Sequence, residues 1–163
     1  MTRKILFVCH GNICRSPMAE FVFKNMVSER SADFPSGTSF VIESAATSAE
    51  EIGNDMHSGA KEKLREKGIP FTRHRSRRIT AEDYYKFDVL VGMDIENIYR
   101  MEKLWKNDPS DKVKLLLSFA GKDRDIADPW YTHDFEKTFL DINEGCAALL
   151  EKILKNESGR VQS

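Results

Sequence analysis

Val8-Cys9-His10-Gly11-Asn12-Ile13-Cys14-Arg15-Ser16-Pro17 is the stretch that decides how this chain is read. An apolar run, Ile5 to Val8, precedes it, and a helical pattern opens at Ser16 and Pro17. The stretch is therefore a loop from a buried strand into a helix, with a thiol at its start and a guanidinium at its end. Five residues separate Cys9 from Arg15. Gly11 and Asn12 tolerate positive φ, so the loop can curl and turn successive backbone N–H groups inward. A curl of that kind at a helix N-terminus attracts anions. Arg15 adds a planar fork matched to two phosphate oxygens. The same field favours thiolate over thiol at Cys9, and Ser16 offers it a hydroxyl. The loop reads as a cradle for a phosphate dianion in which Cys9 attacks phosphorus. It is not a Walker A loop, since no Gly-Lys-Ser/Thr follows. Cys9 and Cys14 lack the second Cys/His pair that a zinc site requires, so no metal is expected.

Four short apolar runs read as strands: Ile5–Val8, Val41–Ile42 with its flanks, Val89–Val91 and Val113–Leu117. Three of them lack clean polar alternation, which suits a parallel sheet covered on both faces. Helical patterns alternate with them. Ala19, Val22, Phe23, Met26 and Val27 recur at helical spacing after Pro17, a residue suited to a first turn. Asp55 to Lys67 carries Met56, Ala60 and Leu64 on one side, with Gly68 as its stop. Asp94 is an N-cap candidate for a helix with Ile95, Ile98, Met101 and Trp105 as its apolar positions. The clearest stripe comes last: Phe135, Phe139, Ile142, Cys146, Leu149 and Ile153. Strands alternating with helices predict a doubly wound, three-layer α/β fold. Ligands of such folds bind beyond the carboxyl ends of the strands, which is where the loop at 9–15 lies.

The 163 residues are expected to form a single domain over residues 1–157, fraying from Asn156 into a flexible tail at 158–163. A net charge of −1 and a pI near 6.4 argue against a general nucleic-acid or anionic-membrane binder. The basic run Arg73–Arg78 reads as a solvated loop. No apolar run approaches the roughly 20 residues of a membrane span. Three cysteines without framework spacing fit a reducing compartment, hence the cytoplasm.

The loop resembles the signature of the low-molecular-weight protein tyrosine phosphatases, and the similarity extends over nearly the whole chain. Ser44-Ala45-Ala46-Thr47-Ser48, Ile52-Gly53-Asn54, Gly68-Ile69-Pro70, Met93-Asp94 and Asp128-Pro129 fall where that family has its motifs. The resemblance implies a four-stranded parallel sheet of order 2-1-3-4 flanked by helices. It implies no cofactor, phosphotyrosine-containing proteins or peptides as substrates, and phosphate or other oxyanions as product or inhibitors. It makes Asp128 the general acid, which later activates water to hydrolyse the cysteinyl-phosphate. It joins Asn12, Ser44, His74 and Ser16 in a network that braces the loop, with Arg73 reading as a one-residue insertion before His74. Cys14 either packs beneath the loop or, as the family resemblance supports, forms a reversible disulfide with Cys9. Cys146 reads as core.

Trp130 and Tyr131 are candidates for one wall of an aryl slot, with Glu50 opposite. Trp130, Glu50 and His10 depart from the residues that the family often carries there, so a more polar mouth is expected, one that favours basic over acidic peptides. Three rival functions are weaker. An arsenate reductase would need further cysteines, a phosphoarginine phosphatase tends to carry Thr where Ile13 stands, and a non-catalytic phosphotyrosine-binding module has no need of Cys9, Arg15, Ser16 and Asp128 together.

Overall fold

Strand β1 (Thr2–Cys9) is one of two inner strands of the sheet. The computed structural model describes the backbone of residues 1–162 and side chains through Glu157. In chain order the further elements are α1 (Arg15–Glu29), β2 (Ser39–Ala46), α2 (Ser58–Glu66), α3 (Asp83–Lys86), β3 (Val89–Gly92), α4 (Ile95–Leu104), β4 (Val113–Leu115), α5 (Pro129–Thr132) and α6 (Phe135–Gln162). Among the described residues the sheet has four strands, in the order β2-β1-β3-β4. Every pairing is parallel: Cys9 lies opposite Ala46 of β2, Val8 opposite Gly92 of β3, and Leu90 of β3 opposite Val113 of β4. This is the expected architecture.

The unbroken apolar run in β1 now has its cause. Successive side chains of a strand point to opposite faces, and both faces of this one are covered. Ile5, Phe7 and Cys9 join the core made with α1 and α6, including Phe23, Ile142, Cys146 and Leu149. Leu6 and Val8 join a second core with Tyr84 of α3, Met101 of α4 and Trp105. Phe7 and Phe23 meet edge to face with ring centroids 5.7 Å apart. Truncating a buried Phe of this kind to Ala costs about 3–5 kcal/mol.

Three boundaries and one exposure differ from the sequence expectation. The fourth strand stops at Leu115, and Leu116–Ala120 turns into a 3-10 helix that keeps Leu116 and Leu117 fully buried. An apolar run does not distinguish the two outcomes. Helix α2 starts at Ser58 rather than Asp55, because the Asp55 carboxylate is occupied by Met56 N, His74 N and Lys61 Nζ. His57 caps the helix instead. Ile95, the first residue of α4, stays 65% exposed, whereas Met101 and Trp105 are buried. The α6 backbone remains helical through Gln162, where a tail was expected from Asn156. The side chains of 158–163 lie outside the described residues.

Candidate active site

Cys9 ends β1, and the chain curls back under its sulfur before entering α1. Asn12, fully buried at φ 58°, makes the curl. Its backbone N–H donates to Cys9 Sγ at 3.2 Å, and its Nδ2 donates to Ser16 Oγ at 2.7 Å. Ser16 Oγ lies 3.0 Å from Cys9 Sγ. With its oxygen accepting from Asn12, the Ser16 hydroxyl can turn its proton to the sulfur at 3.0 Å or to the Ala45 carbonyl at 3.4 Å. His74 Nε2 faces both Asn12 O (2.9 Å) and Asn12 Oδ1 (3.0 Å), and Arg77 N donates to the same Oδ1. Ser76 Oγ donates to Gly11 O at 2.9 Å, and His57 N to Ile13 O at 2.8 Å. Non-glycine residues at positive φ are unfavourable by about 1–2 kcal/mol; these bonds hold Asn12 there. Burial lowers the His74 pKa from its ordinary value, against the Asn12 bond and the nearby Glu20 and Asp55 charges. A neutral ring donating from Nε2 fits both oxygens. The N–H groups of Gly11, Ile13 and Cys14 meet no protein acceptor among the described residues. They are the orphan donors an oxyanion would satisfy.

Arg15 closes the cradle from the first turn of α1 and is only 3% exposed. Its Nη1 donates to Asp94 Oδ2 at 2.6 Å and to the Ile126 carbonyl at 2.9 Å, while Nη2 reaches Asp128 Oδ2 at 3.4 Å. Burial opposes its charge, but the negative charges at Cys9, Asp94 and Asp128 outweigh that and raise its pKa. Of the five guanidinium donors, Nε and the second Nη2 hydrogen are left for a ligand. Asp94 serves two ends: Oδ1 caps α4 through Asn97 N at 2.7 Å while Oδ2 holds Arg15.

Asp128 is the N-cap of α5, its Oδ1 accepting from Trp130 N at 3.0 Å. It lines the same pocket as Cys9 and Arg15. Trp130 and Tyr131 stand beside it, 53% and 77% exposed. Glu50 and Glu51 line the mouth as well, and Glu50 Oε2 lies 3.2 Å from His10 Nε2. They are brought there by the chain after β2, where Thr47 N and Ser48 N bond the carbonyls of Cys9 and His10. Cys14 also lines the pocket; burial first, then the charges at Cys9 and Asp128, push its thiol up to about 12. All three cysteines are free. Cys146 is completely buried in the core, its sulfur 3.9 Å from the Ala19 carbonyl.

Ser44 does not meet Asn12. Its hydroxyl donates to Glu20 Oε1 of α1 at 2.7 Å, because its position in β2 faces that helix. The bonds to Asn12 come from Ser16, His74 and Arg77. Asp94, Ser76 and His57 also reach the loop, with no local signal of it in the sequence. Asp94 and Ser76 act from 79 and 65 residues away, and only the packed sheet brings them together.

The family profile of the low molecular weight phosphotyrosine protein phosphatases matches residues 4–159. The chain belongs to that family. It is 36% identical over 156 residues to the low molecular weight protein-tyrosine-phosphatase YfkJ of Bacillus subtilis, covering 94% of this chain and 97% of that protein. It is equally 36% identical over 156 residues to the human low molecular weight phosphotyrosine protein phosphatase, covering 93% and 96%. The crystal structure of YfkJ superposes with a TM-score of 0.88 over 96% of this chain and 98% of that one. That of the Drosophila arginine phosphatase DARP gives 0.80, at 30% identity over 92% and 97%. As a low molecular weight phosphatase the chain is a hydrolase. No helix among its described residues is long and apolar enough to cross a membrane.

Proposed function

We propose that the chain dephosphorylates phosphotyrosine in proteins or peptides through a cysteinyl-phosphate on Cys9. The phosphate dianion sits on the loop N–H groups and on Nε and Nη2 of Arg15. The Cys9 thiolate attacks phosphorus in line with the leaving phenoxide, the P–O bond breaks, and protonated Asp128 delivers its proton to that oxygen. Asp128, now a carboxylate, takes a proton from water, whose oxygen displaces Cys9 and releases phosphate. Ser16 donates to the sulfur and stabilises it as attacker and as leaving group. The rate gain comes from positioning and electrostatics, as phosphoryl transfer requires. The carrying observation is that Cys9, Arg15 and Asp128 line one pocket although Arg15 and Asp128 are 113 residues apart in sequence. Glu50 and Glu51 give the mouth an acidic rim, so peptides with basic residues beside the phosphotyrosine are the better substrates. Three free thiols suit a reducing, cytoplasmic compartment. Peroxide would oxidise Cys9 to a sulfenic acid, and the Cys14 thiol would displace water from it to form a protective disulfide.

Turnover of p-nitrophenyl phosphate tests the mechanism. Cys9→Ser should abolish it, and Asp128→Ala should lower kcat by about 10²–10⁴, the usual worth of a general acid. Undiminished turnover by Cys9→Ser would refute the reading. A second reading, hydrolysis of phosphoarginine, is favoured by the same acidic rim, which suits a guanidinium. It is decided by assaying phosphoarginine and phosphotyrosine peptides side by side.

A further inference from the structure

His57 joins the phosphate loop to the aryl wall without facing the reacting atoms. Its backbone N–H donates to Ile13 O of the phosphate loop at 2.8 Å. Its Nδ1 accepts from Gly59 N at 3.0 Å and caps α2. With Nδ1 accepting, Nε2 is the ring nitrogen left to carry a proton. One face of the imidazole stacks on Phe135, the first residue of α6, at 5.3 Å and 23°. The ring of Trp130 meets it edge to face, at 5.7 Å and 83°. The stack requires a glycine at position 59: a Cβ there would come within 2.5 Å of the Phe135 ring.

Trp130 needs such a support. It follows Asp128 by two residues, lies in a four-residue helix and leaves half its surface in solvent. A short exposed turn does not by itself fix a large ring. His57 supplies a planar surface that is anchored at three points: the Ile13 carbonyl, the Gly59 amide and the Phe135 ring.

We propose that His57 is a positioning residue for the aryl wall, holding Trp130 against the mouth so that aryl phosphates meet a preset surface. The inference rests on the phosphatase reading above. It assigns His57 to aryl recognition, and the phosphate cradle keeps its chemistry without the imidazole.

Two substitutions separate the ring from the cap. His57→Asn keeps a good N-cap side chain and the backbone bond to Ile13 but removes the ring. His57→Phe keeps a ring for Trp130 and removes the cap acceptor. Aromatic pairs of this kind correspond to about 2- to 12-fold in binding. The expected result for His57→Asn is a KM for p-nitrophenyl phosphate raised about 3- to 10-fold. Its kcat and its Ki for inorganic phosphate should stay within twofold of wild type. Acrylamide quenching should also rise, reporting Trp130, because the other tryptophan, Trp105, is buried. His57→Phe should hold KM near wild type while its melting temperature falls. An unchanged KM and quenching in His57→Asn, or a phosphate Ki that rises together with KM, would overturn the proposal. Absence of turnover by the wild type would refute the phosphatase reading instead.

Discussion

Replacing Asp94 with Asn tests how Arg15, the proposed phosphate binder, is aimed. The Asp94–Arg15 pair is 2.6 Å long, with the arginine side chain 3% and the aspartate 20% exposed. Asn keeps the oxygen that caps α4 through Asn97 N, and Asn and Asp are equivalent N-caps. Stability should therefore change little. What is lost is the charge opposite Nη1. A hydrogen bond to a charged group contributes about 1.5–3 kcal/mol. Without it the guanidinium turns toward Asp128, already 3.4 Å from Nη2, and the donors meant for phosphate are misdirected. If that energy is lost from the transition state, kcat/KM falls about 10- to 150-fold, at 1.36 kcal/mol per decade. Steady-state kinetics with p-nitrophenyl phosphate measure it, and thermal melting serves as the control. Asp94→Ala should show the same kinetic loss with a further drop of about 2–4 °C from the missing cap. A kcat/KM within threefold of wild type for Asp94→Asn would refute the idea that Asp94 aims Arg15.

Asn12→Ala should be less stable than Asn12→Gly by about 1 kcal/mol in urea unfolding, since both lose the side-chain bonds but only glycine is relaxed at φ 58°. The Cys14 thiol, pushed up to about 12 by burial, is held neutral by the fold while the unfolded chain ionises near 9. Its stabilisation is complete below about pH 9 and lost as pH climbs toward 12, so the urea midpoint of Cys14→Ala should decline less steeply than that of wild type in that window. Asp55, drawn down to about 2 by Lys61 and then by the His74 and Met56 amides, stabilises the fold above the ordinary carboxylate pKa near 4. Any midpoint difference between wild type and Asp55→Asn should shrink as pH falls from about 4 to 2.

The layered fold was legible because the apolar periods are strong. Ile5–Val8 is buried on both sides and carries no polar residue, and the α6 stripe from Phe139 to Leu149 is the face that packs. Cys9 and Arg15 could be read as a pair because they share one loop with its strand and helix. Asp128 could be singled out only by likeness, since an Asp-Pro turn alone says nothing of a pocket. Ser44 shows where local reading fails. It sits at the end of the right strand, yet a rotation toward α1 gives it to Glu20. Asp94 was readable as a helix cap, because capping is local, and unreadable as a partner of Arg15, because that contact crosses the sheet. His57 gave no signal at all: a lone histidine before Ser-Gly has no period, and its stack depends on where α6 begins.

The arginine at the centre of the cradle has a bearing on when, during synthesis, this protein becomes an enzyme. Arg15 emerges early from the ribosome, yet its acceptors at Asp94, Ile126 and Asp128 follow 79, 111 and 113 residues later. α1, which carries Arg15, also needs the last helix to cover it, with Cys146 against Ala19. A chain stopped before these residues would hold Cys9 but not the acceptors that fix the Arg15 guanidinium. On the proposed mechanism, activity requires residues 94–128 and α6 to be made and packed against α1.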